Sequence, residues 1–177
     1  MVGNSLGGAI ALELGARGAA RTVTALSPAG FLGPVNRFQT IGALAALRAS
    51  RAFLPWSWHH AAAHRSWGRR LHAAGIYARS ESLTAESVLN DVAHLKRCPS
   101  FEPVLAANVL YSYRSPVRVP TMIAWGAKDR ILPIGSLRRV AAKAPGADIR
   151  VLGGCGHAPM QDDPKAVADL VRGIALN

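Results

Sequence analysis

Ser5, Asp129 and His157 are of the types, and in the order, that nucleophilic attack on a carbonyl requires. A serine hydroxyl is a poor nucleophile until a base takes its proton, and histidine is the side chain tuned for that near neutral pH. A carboxylate can hold the imidazole in the useful tautomer and stabilise the imidazolium as it forms. Ser5 lies in Gly3-Asn4-Ser5-Leu6-Gly7, Asp129 in Gly126-Ala-Lys-Asp129-Arg-Ile-Leu-Pro133, and His157 in Gly153-Gly-Cys-Gly-His157-Ala-Pro159. Each residue also has a plainer role. Gly-x-Ser-x-Gly is a weak pattern in a glycine-rich chain, Asp129 could form a turn with Ile131, and His157 could be a satisfied structural histidine.

The flanking elements must deliver these side chains to one place. Gly3 and Gly7 are expected to leave no Cβ where a strand and a helix crowd around a sharp turn at Ser5. Residues 6–17 read as that helix, whose N-terminal N–H groups and dipole point at the serine oxygen. Residues 22–27, 117–126 and 147–152 are short apolar runs rich in Val, Ile and Thr, as buried parallel strands require. Asp129 and His157 follow the second and third of these runs, at the carboxyl ends where open α/β sheets place their sites.

Between the first two runs no strand signal of comparable strength occurs. Helices are expected over 41–54, 59–74, 84–96 and 101–113, and in the last third over 134–144 and from 163 or 164 to 174. Asn36 and Thr84 are plausible helix starts, Thr84 with Ser87 in place of the Glu of a full capping box. The fold class is therefore α/β, a mostly parallel sheet with helices on both faces. Residues 1–30 and 116–177 form its core, and 31–115 a helical cap or lid insert.

Composition sets the limits. The 177 residues are 50% hydrophobic and carry a formal net charge of +11, which suits one packed domain and excludes a disordered chain. Cys98 and Cys155 make no disulfide framework, so a reducing, cytoplasmic setting is expected, with Cys155 packed in the interior. No acidic residue occurs from Leu14 to Ser80, where Arg48, Arg51, Arg65, Arg69 and Arg70 cluster. A solvated basic face accounts for this, and contact with an anionic membrane surface is the alternative. No Walker loop or zinc spacing supports a nucleic-acid module. His60 and His64 are four apart, as a metal pair would be, but no acidic residue lies nearby to complete a site. Neither metal nor cofactor is expected.

Three motifs together carry a resemblance. Gly3-Asn-Ser-Leu-Gly-Gly8, Val119-Pro-Thr-Met-Ile-Ala-Trp-Gly-Ala-Lys-Asp129 and Gly156-His157, with Asp163-Pro164 shortly after, resemble the cap-bearing branch of the α/β-hydrolase superfamily. The resemblance implies Ser5 as nucleophile, Asp129 as acid and His157 as base. It implies Leu6 N–H as one donor of the oxyanion hole and, from a loop after the third strand of the family fold, a second donor outside this chain. Only Met1 and Val2 precede the turn, so the chain is expected to be a fragment of a longer enzyme, truncated at the nucleophile elbow. The 177 residues alone are expected to hydrolyse simple esters poorly.

A Ser nucleophile argues against epoxide hydrolases and haloalkane dehalogenases of similar fold. Hydrolysis of a small apolar carboxylic ester through an acyl-enzyme is the leading expectation. Carbon–carbon hydrolysis of a vinylogous diketone, or a binding protein without turnover, are the alternatives. Phe53, Trp56, Trp58 and Trp67 of the insert suggest an apolar substrate pocket, or else ordinary packing.

Overall fold

A computed structural model describes residues 1–176. Four parallel strands, β1 (Val2–Asn4), β2 (Val23–Leu26), β3 (Thr121–Gly126) and β4 (Asp148–Leu152), pair in sequence order. Every residue of β2 and β3 is buried, which is why these runs are mostly apolar instead of alternating.

Side chains of the central strands divide between two cores. Val23, Ala25, Ile123 and Trp125 join α1 (Leu6–Ala16), Phe31 and Tyr113 on one side. Leu26 and Ala124 point the other way, against Val167 of α9 (Pro164–Ala175). Asp163 caps that last helix by accepting from Ala166 N–H at 3.0 Å, with Pro164 at its first position.

Five helices lie between β2 and β3: α2 (Pro34–Phe53), α3 (Trp56–Ala63), α4 (Ser66–Ala73), α5 (Ala85–Arg97) and α6 (Phe101–Leu110). Several boundaries differ from expectation. The first helix of the group begins at Pro34, whose fixed φ and missing N–H suit a first position, and not at Asn36. The helix expected over 59–74 is two helices, because Arg65 takes an extended conformation and Gly68 packs against the Ala62 backbone, where a Cβ would collide. Thr84 and Ser87 do form a reciprocal capping box, the serine hydroxyl serving where a Glu was thought necessary. Beyond β3, a 3₁₀ turn (Ile134–Ser136) leads into α7 (Leu137–Lys143), and α8 (Pro159–Asp162) precedes α9.

Candidate active site

The turn between β1 and α1 is strained. Ser5 has φ 54° and ψ −118°, a conformation that costs a non-glycine residue about 1–3 kcal/mol. Hydrogen bonds from both sides hold it there. Ser5 N–H donates to Leu26 O at 2.9 Å, and Ser5 O accepts from Ala9 N–H at 3.1 Å and Ala29 N–H at 3.0 Å. Only one of the two expected crowding glycines is crowded. A Cβ on Gly3 would collide with the Gly7 carbonyl, whereas one on Gly7 would meet nothing within 4 Å. The second tight position is Gly8, where a Cβ would lie 3.0 Å from Pro28 Cβ. Leu6 follows as the first residue of α1, so its N–H belongs to the helix N-terminus at the serine.

The loops after β3 and β4 bring Asp129 and His157 together. His157 Nδ1–H donates to Asp129 Oδ2 at 2.9 Å, and both residues are buried. The other carboxylate oxygen accepts from Ile131 N–H at 2.9 Å and Leu132 N–H at 2.8 Å. The turn role is thus present, and it fixes the carboxylate that faces the imidazole. The two loops are locked together beneath the pair. Lys128 N–H donates to Cys155 O at 2.9 Å, and a Cβ on Gly126 would collide with the Gly156 carbonyl. Cys155 itself is buried, and burial pushes its thiol pKa up, as befits a packing residue.

Two further residues, without a signal in the sequence, hold these loops in place. Asn4, beside the serine, donates from Nδ2 to Leu26 O at 3.0 Å and to the His157 carbonyl at 2.9 Å. That contact ties the turn of Ser5 to the loop of His157. Asp162 is buried with its carboxylate accepting from Gly156 N–H at 2.7 Å, Arg79 N–H at 2.8 Å and Ala78 N–H at 3.0 Å. It joins the histidine loop to the helical segment, as do His157 N–H and the Ile76 carbonyl at 2.8 Å. The Asn in Gly-x-Ser-x-Gly was visible, but nothing in sequence spacing pairs it with a partner 153 positions away.

Ser5 opens on a cavity of about 30 Å³ lined by Ala29, Leu32, Thr40, Leu44, Leu105, Asn108, Ile131 and Leu132. Ile131 also lines a neighbouring apolar cavity of about 330 Å³, walled by Leu47, Leu54, Trp58, Leu71 and Arg51. Of the four aromatic residues expected to form a pocket, Trp58 alone is on these walls. Phe53 is 85% exposed, and Trp56 and Trp67 stand about half in solvent. They lie on the outer faces of their helices, a side that aromatic content does not reveal.

The basic cluster also divides. Arg51 is buried, its guanidinium donating to His72 O at 2.9 Å and Ser50 Oγ at 3.0 Å. Below it His59 and His72 form a buried pair, Nδ1 of the first 3.0 Å from Nε2 of the second. His72 Nδ1–H donates to Gly68 O at 2.7 Å. Burial and the neighbouring cation Arg51 hold both imidazoles below the ordinary histidine range. His60 and His64 are exposed, their rings 4.7 Å apart.

Comparison with known proteins agrees with this architecture. Residues 1–170 match the model of the "Alpha/beta hydrolase family". The chain belongs to the alpha/beta hydrolase family. A relative named epoxide hydrolase EphH, from Mycobacterium tuberculosis, is 31% identical over 97% of this chain and 83% of its own length. Among solved alpha/beta structures, a bacterial membrane phospholipase A superposes with a TM-score of 0.68 at 17% identity, over 98% of this chain and 55% of that one. A 2-hydroxy-6-oxo-6-phenylhexa-2,4-dienoate hydrolase from Rhodococcus sp. strain RHA1 gives 0.66 at 19%, over 99% of this chain and 63% of that one. At these identities the structural likeness is one of fold. The chain spans 55% and 63% of the lengths of these two solved relatives.

Proposed function

We propose that the chain carries the catalytic machinery of a serine hydrolase acting on a small apolar carboxylic ester, with Ser5 as nucleophile, His157 as base and Asp129 as the acid that orients it. The observation that carries this is the His157 Nδ1–Asp129 Oδ2 hydrogen bond of 2.9 Å in a loop that Asn4 ties to the strained turn of Ser5. With Nδ1 bearing its proton toward the carboxylate, Nε2 is left to accept the serine proton. The serine oxygen then bonds to the substrate carbonyl carbon, and the oxygen of that carbonyl takes up negative charge beside Leu6 N–H at the start of α1. His157 returns the proton to the departing alcohol. Water, deprotonated by the same imidazole, releases the acid and restores Ser5.

The two cavities sharing Ile131 support an apolar acyl group that passes from Ser5 toward Trp58. Helices α2 to α6 act as the cap over it, and a hydroxyl nucleophile, in place of a carboxylate, favours acyl transfer over epoxide opening. Carbon–carbon hydrolysis is the second reading, favoured by the fold shared with the Rhodococcus dienoate hydrolase. Rapid mixing with p-nitrophenyl hexanoate tests the first. Turnover by these 177 residues alone should be slow, and the nitrophenolate released should match a hexanoyl mass on the peptide bearing Ser5; release without that mass would contradict the mechanism.

The cap bears Val35 and Phe38, each 78% exposed, together with the exposed arginines Arg65 and Arg70. This supports contact with anionic lipid, in a cytoplasmic protein. Sedimentation with phosphatidylserine vesicles at low salt tests that contact, and a chain left in the supernatant would remove it. Among the described residues no helix is long and apolar enough to cross a membrane.

A further inference from the structure

The small cavity at Ser5 is apolar on most of its wall, from Ala29, Leu32, Leu44, Leu105, Ile131 and Leu132. Two polar side chains stand with Ser5 on that wall, and they differ in what they have left to give. Thr40 is buried and spends its hydroxyl proton on Ile131 O at 2.7 Å. Asn108 has a side-chain carbonyl oxygen, Oδ1, that is shut away from solvent and has no hydrogen-bond partner. Leaving such an acceptor unsatisfied costs about 1–3 kcal/mol, so native structures pair nearly all of them. Nothing in the local fold demands this amide. Asn108 lies in the second half of α6, in the stretch Val104-Leu-Ala-Ala-Asn-Val-Leu110, three residues from Leu105 and on the same helix face. An apolar side chain there would continue the wall at no cost in desolvation.

We propose that Asn108 is a specificity-determining residue that accepts a hydrogen bond from the substrate, so that the preferred acyl group carries a hydroxyl at C2 or C3, the first or second carbon beyond the scissile carbonyl carbon. This rests on the assignment of Ser5 as nucleophile and adds to it the class of substrate, a short hydroxyacyl ester. A cavity of about 30 Å³ holds about two water-sized groups, a carbon of the acyl chain and one such hydroxyl, beside Ser5. The rest of the chain then runs past Ile131 into the larger cavity. A site built to pair a substrate hydroxyl rejects the analogue that lacks it, because the protein group is then left buried and bare.

Binding of product acids tests the proposal without turnover. Isothermal titration compares hexanoate, 2-hydroxyhexanoate and 3-hydroxyhexanoate on the wild-type chain, Asn108→Leu and Asn108→Asp. One hydroxy acid should bind the wild type about tenfold more tightly than hexanoate, the worth of one net hydrogen bond. The preference should vanish in Asn108→Leu, which keeps the branched shape without an acceptor, and survive in Asn108→Asp, which keeps an acceptor oxygen. Equal binding of all three acids by the wild type would overturn the proposal. So would a preference that persists in Asn108→Leu, or one lost in Asn108→Asp. Fluorophosphonate labelling of Ser5 in the same three proteins reads the nucleophile separately: labelling without a hydroxyl preference defeats the specificity claim alone.

Discussion

The side-chain amide of Asn4 donates to the main-chain carbonyl of His157 at 2.9 Å, and so fastens the residue before the candidate nucleophile to the candidate base. Its second bond, to Leu26 O, holds the same amide against the end of β2. Asn4→Ala removes both, taking the side-chain donor from the His157 carbonyl and leaving Leu26 O with Ser5 N–H alone. It should cost about 1–3 kcal/mol of stability by urea denaturation and slow fluorophosphonate labelling of Ser5. Asn4→Asp, with no N–H₂ to give, should not rescue it.

Asp129→Asn separates the two jobs of that carboxylate. An asparagine oxygen can still accept from Ile131 and Leu132 N–H, so the loop should keep its shape and the thermal midpoint should move little. Its amide nitrogen, however, would face His157 Nδ1 and favour the wrong tautomer. Labelling of Ser5 should fall on the order of 10⁴-fold, the loss seen when a triad aspartate is amidated.

The glycines of the elbow predict opposite outcomes for one chemical change. Gly3→Ala places a methyl against the Gly7 carbonyl, backbone that cannot step aside, and should unfold or severely destabilise the chain. Gly7→Ala meets open space within a helix, where alanine is favoured by about 1 kcal/mol. It should fold at least as well as the wild type, judged by thermal denaturation.

Stability should depend on pH through His59 and His72. Both are buried and held neutral, with pKa values lowered first by burial, then for His59 by His72 and for both by Arg51. The unfolded chain titrates them near 6.5, so below that pH it binds protons that the folded chain refuses. Their contribution is therefore complete above about pH 6.5 and is lost as pH falls toward the folded values. Urea midpoints at pH 7.5 and 5.5 should differ less in the double variant His59→Phe/His72→Phe than in the wild type.

Much of this site is legible in the chain because its parts are local. β2 and β3 are apolar on both faces, so Val23–Leu26 and Thr121–Gly126 announce themselves, and the loops after β3 and β4 put Asp129 and His157 at the same end of the sheet. What stays hidden depends on contacts across the fold. Asp162 is an ordinary acid in sequence, and only the arrival of Ala78 and Arg79 makes it the anchor of the histidine loop. Arg51 belongs to a run of surface arginines, yet its helix turns it inward onto His72. The aromatic residues mislead for the same reason: Phe53 and Trp67 have the composition of a pocket on helix faces that look outward.

Activation of Ser5 by His157 is the step on which the proposed mechanism turns. Treatment with a fluorophosphonate, followed by peptide mapping, tests it most directly. The phosphonyl group should appear on Ser5 in the wild type, be absent in Ser5→Ala, and form at least a thousandfold more slowly in His157→Ala. No label on Ser5, or labelling at an unchanged rate without His157, would contradict it.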